Sequence, residues 1–322
     1  MTVTVLDDYR EQIADLPADR FIGSITWYTV AASAVTRDQL VDWFDELKLD
    51  PAHLPHPIKP VDAFRAASTD ATAVYPLPGG RRATLMVREV ASTHDEVARH
   101  IMRETCDPQG RRLAYDNVGD AVFHRNPARV ELDLDLAALS ADEQPHAETL
   151  CHSIRNRYTT MSTHLQAQAL RAVVRSYLLS LRAVAVRPSG GVYFVHVSRH
   201  EALGQLETLV GRFSTASMLH SLPLVDTGKQ RRMIGQAFAD EVETTITGLV
   251  RRIAEENDRA ARGTGTISAT VYQQLRAQYD DVVDRTREFT QILGQAEGRA
   301  TAALELAINA LCDMRARTTV VA

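Results

Sequence analysis

The chemically suggestive residues of this chain are arginines. Between Glu148 and Glu201 there is no aspartate or glutamate, yet the stretch holds Arg155, Arg157, Arg171, Arg175, Arg182, Arg187 and Arg199, with His152, His164, His196 and His200. That window carries +7, which leaves −12 for the rest of a chain whose net charge is −5. The first 50 residues show the opposite bias, ten acids against four bases. Guanidinium groups donate in a planar fork that matches phosphate oxygens. The chemistry they imply is contact with a phosphate backbone, which gives salt-sensitive affinity without base preference. Arg171 and Arg175 stand four apart and share a face if the stretch is helical.

The same charge pattern has a plainer reading. The arginines pair with carboxylates of the acidic segments, within one chain or across a subunit contact. Tyr158, Tyr177, Tyr193 and Phe194 are interleaved with the bases. Stacking on nucleobases is one use for them, and core packing is the commoner one, above all for Tyr177 and Phe194.

Signals for catalysis are weak. His94 and His100 are spaced H-x5-H, and His53 and His56 enclose a proline. Neither pair forms the H-E-x-x-H helix of a zinc site, which in any case needs three or four ligands. Cys151-His152 lacks a third ligand. Gly263-Thr264-Gly265 has no preceding strand, as a dinucleotide loop requires. Thr227-Gly228-Lys229 lacks the upstream glycine of a P-loop. No helix follows the serine of Pro188-Ser189-Gly190-Gly191 directly, so it is not a nucleophile elbow. Asp133 and Asp135 alternate on a strand and read as solvated acids more readily than as a metal pair. No cofactor and no metal are expected.

The elements that position the arginines read as follows. Residues 22–32 form a β-rich strand, and Thr36 with Gln39 makes a capping box that opens a helix. Prolines in residues 50–60 break that helix. Strands follow at 83–91, 97–106, 111–117, 121–125 and 130–136, an antiparallel meander. Residues 137–147 look like a linker. Helices are expected at 146–158 and 163–181, a hairpin over 182–198 around Pro-Ser-Gly-Gly, and a helix over 200–213. Beyond residue 226, after a Thr227/Gln230 capping box, Ile234, Phe238, Val242, Ile246, Leu249 and Ile253 mark a narrow helical seam. A second and a third helix follow, and the first two are each about 40 Å long.

The fold class is therefore α+β. It comprises an N-terminal antiparallel sheet domain (1–140), a winged-helix-like helix–hairpin–helix middle (141–225) and a C-terminal long α-helical hairpin (226–322) suited to oligomerisation. The order helix, helix, hairpin also occurs in folds that bind no nucleic acid. Cys106, Cys151 and Cys312 form no disulfide framework. The N-terminus lacks a secretion pattern and no stretch reaches the roughly 20 apolar residues of a bilayer span, so a cytoplasmic protein without membrane contact is expected.

The string VRPSGGVYFV (186–195), the helix start PLVDTGKQR (223–231) and the long helices after it resemble an uncharacterised family carried by phages, plasmids and other mobile elements. The resemblance covers most of the chain. It implies an accessory role and no known activity, cofactor or catalytic residue. The leading expectation is a non-enzymatic protein that binds DNA or RNA through the seven arginines and self-associates through its C-terminal helices. The alternative is a structural or adaptor protein forming homo-oligomeric assemblies, whose basic segment docks on a neighbour's acidic segment.

Overall fold

A computed structural model describes residues 9, 11, 13, 15–187, 190–263, 267–294, 298–315 and 318. The turn residues Pro188 and Ser189 and the break residues Thr264 and Gly265 lie outside that set. The architecture is mixed α and β, with two antiparallel sheets and long helices toward the C-terminus. The chain divides into two compact units, Met1–Ala31 with Val174–Ala322, and Ala32–Val173 between them in sequence. The sequence places boundaries near 140 and 225 instead. Two features account for the difference, the partners of the first strand and a buried anchor near residue 143.

The first strand, β1 (Phe21–Thr29), does not join the meander that follows it. It pairs antiparallel with β8 (Val192–His196) on one side and β9 (Met218–Val225) on the other. With β7 (Val184–Ala185) they form a four-stranded sheet of order β7-β8-β1-β9. Strand β9 carries Pro223 and lacks a strong strand signal, and the sequence reading missed it. Gly23 is required in β1 because a Cβ there would meet the Val195 carbonyl and the Phe194 ring. The hairpin β7–β8 forms as expected, but β8 is paired on both edges and is not a free wing.

The core of this unit runs from Ile22, Val184, Phe194 and Leu224 of the sheet into three helices. These are α6 (Gly228–Arg262), α7 (Ala269–Leu293) and α8 (Gly298–Arg315). The seam of α6 is as the spacing predicts, and Ile234 through Ile253 are buried. Phe238 stacks on Phe289 of α7 with centroids 4.4 Å apart. Each such side chain contributes about 1.5–3 kcal/mol by leaving water. The seam that the sequence assigned to a subunit contact is thus consumed within the chain, because α7 and α8 return to cover it. Helix α5 (His200–Phe213) follows β8 and buries Leu203, Leu206, Leu209 and Val210.

The inserted unit is a five-stranded antiparallel sheet of order β2-β3-β4-β5-β6. Its strands are β2 (Thr72–Pro76), β3 (Arg82–Ser92), β4 (Glu96–Cys106), β5 (Arg112–Arg125) and β6 (Ala128–Leu134). The sequence divides β5 at Gly119. The chain instead passes straight through by a bulge at Val118, and the missing Cβ lets Gly119 approach the Asp133 carbonyl. Helix α1 (Arg37–Glu46) opens on the expected capping box of Thr36 and Gln39. Helix α2 (Pro60–Thr69), missed in the sequence, begins on a proline at its first position and buries Phe64 against Phe123.

Helix α3 (Gln144–Thr163) lays Ala147, Leu150, Cys151 and Ile154 against Leu85, Ile101 and Val118. The residues before it are not a linker. Glu143 is only 5% exposed and accepts from Tyr75 Oη (3.1 Å), Ser140 Oγ (2.8 Å) and Arg103 Nη1 (3.3 Å). Arg103 also reaches Asp116 at 3.1 Å. This anchor ties α3 to the sheet and explains why no boundary falls at 140. At the unit's ends, Leu165 N–H donates to the Val35 carbonyl at 2.8 Å, so the chain enters and leaves side by side.

Candidate phosphate-binding cleft

Helix α4 (Ala167–Ser180) turns Leu170, Val173, Val174, Tyr177 and Leu178 into the protein and leaves Arg171 and Arg175 exposed. It stops in a Schellman arrangement. Ala183 N–H donates to the Leu178 carbonyl at 3.1 Å and Arg182 N–H to Leu179 at 3.0 Å. Arg182 takes the left-handed position (φ 60°) where glycine is usual. Its guanidinium pairs with Asp281 of α7.

The chain then enters β7, where Ala185 N–H donates to Glu241 Oε2 of α6 at 2.9 Å. Val186 N–H closes on the Val192 carbonyl, so Arg187 lies at the end of the hairpin arm, exposed. The returning arm has Gly190 and Gly191 at φ 115° and 64°, values that glycine alone adopts without strain. Between helix, hairpin and α6 is a cleft of ≈ 590 Å³ lined by Arg175, Arg187, both glycines, Tyr193, Thr244 and Thr245. Glu241, Asp240 and Arg285 complete its wall. Arg285 donates to Glu241 Oε1 at 2.6 Å. Arg175 and Arg187 make no ion pair among the described residues.

The seven arginines do not act as one set. Arg175 and Arg187 share this cleft. Arg182 and Arg199 have carboxylate partners in the same chain, Asp281 and, at 3.5 Å, Glu288, as the plainer reading expects. Arg155, Arg157 and Arg171 belong to the inserted unit. There Arg157 donates to the Ala66 carbonyl at 3.3 Å, and Arg155 borders a ≈ 330 Å³ cleft beside Asp133, Glu148, Cys151 and His152. Arg251, Arg252 and Arg285 fall outside the acid-free window. Window counting had no means of finding them.

The weak catalytic signals resolve into structural roles. Burial pushes the Cys151 thiol up to about 11, so it is protonated and a poor nucleophile near neutral pH. Asp135 lies beyond the end of β6 and caps a 3₁₀ turn through the amides of Ala137 and Ala138, so it is not on one strand face with Asp133. Thr227 caps α6 by accepting Gln230 N–H at 3.3 Å. His196 shares a 2.9 Å hydrogen bond with Ser198, and burial holds its imidazole below the ordinary range. Among the described residues no three His, Cys, Asp or Glu side chains are grouped to hold a metal. No helix among them is long and apolar enough to cross a membrane.

No curated protein and no solved structure matches the chain. Residues 21–320 match the model of a family of unknown function (DUF6744), and the chain belongs to that family.

Proposed function

We propose that the protein is a non-enzymatic accessory factor that binds nucleic acid through phosphate contacts made by Arg175 and Arg187. The observation that carries this reading is their placement. Two unpaired guanidinium groups, one from a helix and one from the arm of the following hairpin, line one cleft beside two glycines that leave the backbone open. A helix and a hairpin used together on phosphates is the winged-helix-like element of the proposal. Tyr193, half-buried at the same cleft, supplies an aromatic face. A cytoplasmic setting and service to a mobile element are part of the same proposal.

Among the described residues, the competing reading, arginines that dock on carboxylates in a structural assembly, has specific support at Arg182 and Arg199. Fluorescence anisotropy with labelled duplex and single-stranded oligonucleotides across 50–200 mM salt tests the proposal. The parent should bind with log K falling linearly in log salt, by about 0.7–0.9 per phosphate neutralised. R175A/R187A should weaken binding on every sequence and flatten that slope. Absence of binding at the lowest salt, or an unchanged slope in a folded double variant, overturns the reading.

A further inference from the structure

The cleft at the hairpin adjoins another through two common lining residues. A second cleft of ≈ 600 Å³ runs between α6 and α7, and the two share Thr245 and Arg285 as lining residues. Its lining carries Arg251 and Arg252 one to two turns further along α6, with Gln278 and Asp281 from α7. Gly248 lies at its floor, where a Cβ would meet nothing within 4 Å.

Together the two clefts are lined by five arginines and three carboxylates, within a chain of net charge −5. The carboxylates are already engaged. Glu241 accepts from Arg285 and Ala185, Asp281 from Arg182, and Asp240 has a partner of its own. Arg252 donates to Gln278 at 3.1 Å and to no carboxylate, while Arg251 lies 3.9 Å from Glu255 at the exposed rim. The surplus positive charge is therefore spread along the length of the groove.

Building on the proposed nucleic-acid binding, we infer that the groove from Arg187 past Thr245 and Gly248 to Arg252 is the track of a single nucleic-acid strand. Packed helix axes lie about 8–10 Å apart, so the furrow between α6 and α7 is a surface groove narrower than one helix diameter, on a scale that suits a single sugar-phosphate backbone. A duplex spaces its two backbones across grooves about 12 and 6 Å wide, so it is broader than that furrow. From Thr245 to Arg252 the helix rises about 10 Å, the length of roughly three nucleotides at ~3.4 Å each. The Thr245 hydroxyl stands where the two legs meet and offers a neutral hydrogen bond to the same backbone, whereas the Thr244 hydroxyl donates to the Asp240 carbonyl at 2.8 Å.

The test compares four forms of the full chain (parent, R175A/R187A, G248W and R251Q/R252Q) by anisotropy with oligo-dT, oligo-rU and a duplex of equal length. The parent should prefer the single strands by about tenfold or more at equal salt. G248W fills the floor and removes no charge, and it should weaken single-strand binding by about tenfold. R251Q/R252Q should reduce the salt slope for single strands by about 1.4. Folding of each variant is checked by its thermal transition. Binding that R175A/R187A weakens but that G248W and R251Q/R252Q leave unchanged, or preference for duplex, overturns the track and leaves the hairpin site standing. Failure of the parent to bind any of the three probes overturns both. Preference between dT and rU identifies the natural strand.

Discussion

Glu241 and Arg285 meet at 2.6 Å between α6 and α7, and the other oxygen of the same carboxylate holds the Ala185 amide of β7 at 2.9 Å. One side chain thus fixes the hairpin arm that carries Arg187 to the helices that form the rest of the cleft. Both partners are largely withdrawn from solvent, so removing one leaves an unmatched charge. We predict that R285M destabilises the chain by about 2 kcal/mol in urea titration. R285M should also weaken nucleic-acid binding more than the loss of one phosphate contact does, because β7 is released.

The seam of α6 yields a second prediction. Ile246 is 1% exposed and is covered by helices of its own chain. I246A should lower the unfolding free energy by about 2–5 kcal/mol through the cavity it leaves. The native fraction should elute in size-exclusion chromatography at the position of the parent. A shift to a smaller species would show that the seam lies between subunits after all.

Glu143 sets a pH dependence. Burial alone would raise its carboxyl. The hydrogen bonds from Ser140 and Tyr75 and the Arg103 charge outweigh that and hold it below the ordinary carboxylate range. The folded state therefore favours the ionised form. Its stabilising effect is complete above the ordinary value near 4.5 and is lost as acid is added through the lowered one. E143Q should cost about 2 kcal/mol at pH 7, measured by denaturant titration. The difference from the parent should shrink steadily as the pH falls below about 4.5.

The thiols should separate by accessibility. Cys312 is exposed, whereas Cys106 and Cys151 are buried and burial lifts Cys151 to about 11. Maleimide labelling followed by mass spectrometry should modify Cys312 first. Cys151 should react only at the rate of unfolding, and labelling as fast as that of Cys312 would contradict its position on α3.

Local structure was legible where short-range physics decides it. The Thr36–Gln39 capping box, the meander strands and the α6 seam all follow from neighbours within a few residues. The partners of β1 were not legible, because its ladder is completed by residues some 170–200 positions later. The N-cap of α2, Lys59, makes no side-chain capping hydrogen bond, and β5 concealed a bulge behind Gly119. Of the site, the charge window named Arg175 and Arg187 but could not separate them from Arg182 and Arg199. That distinction depends on Asp281 and Glu288, which lie on a helix distant in sequence.

Because β1 lies between β8 and β9, its two strand partners are complete only when residues 196 and 225 have been made. Residues 32–173, whose ends adjoin, can complete their own sheet in the meantime. At about 5–20 residues per second, Ile22–Tyr28 waits about 10 seconds or more, longer than hairpin closure takes by several orders of magnitude. Synthesis thus favours an order of assembly in which residues 32–173 fold before β1 is paired.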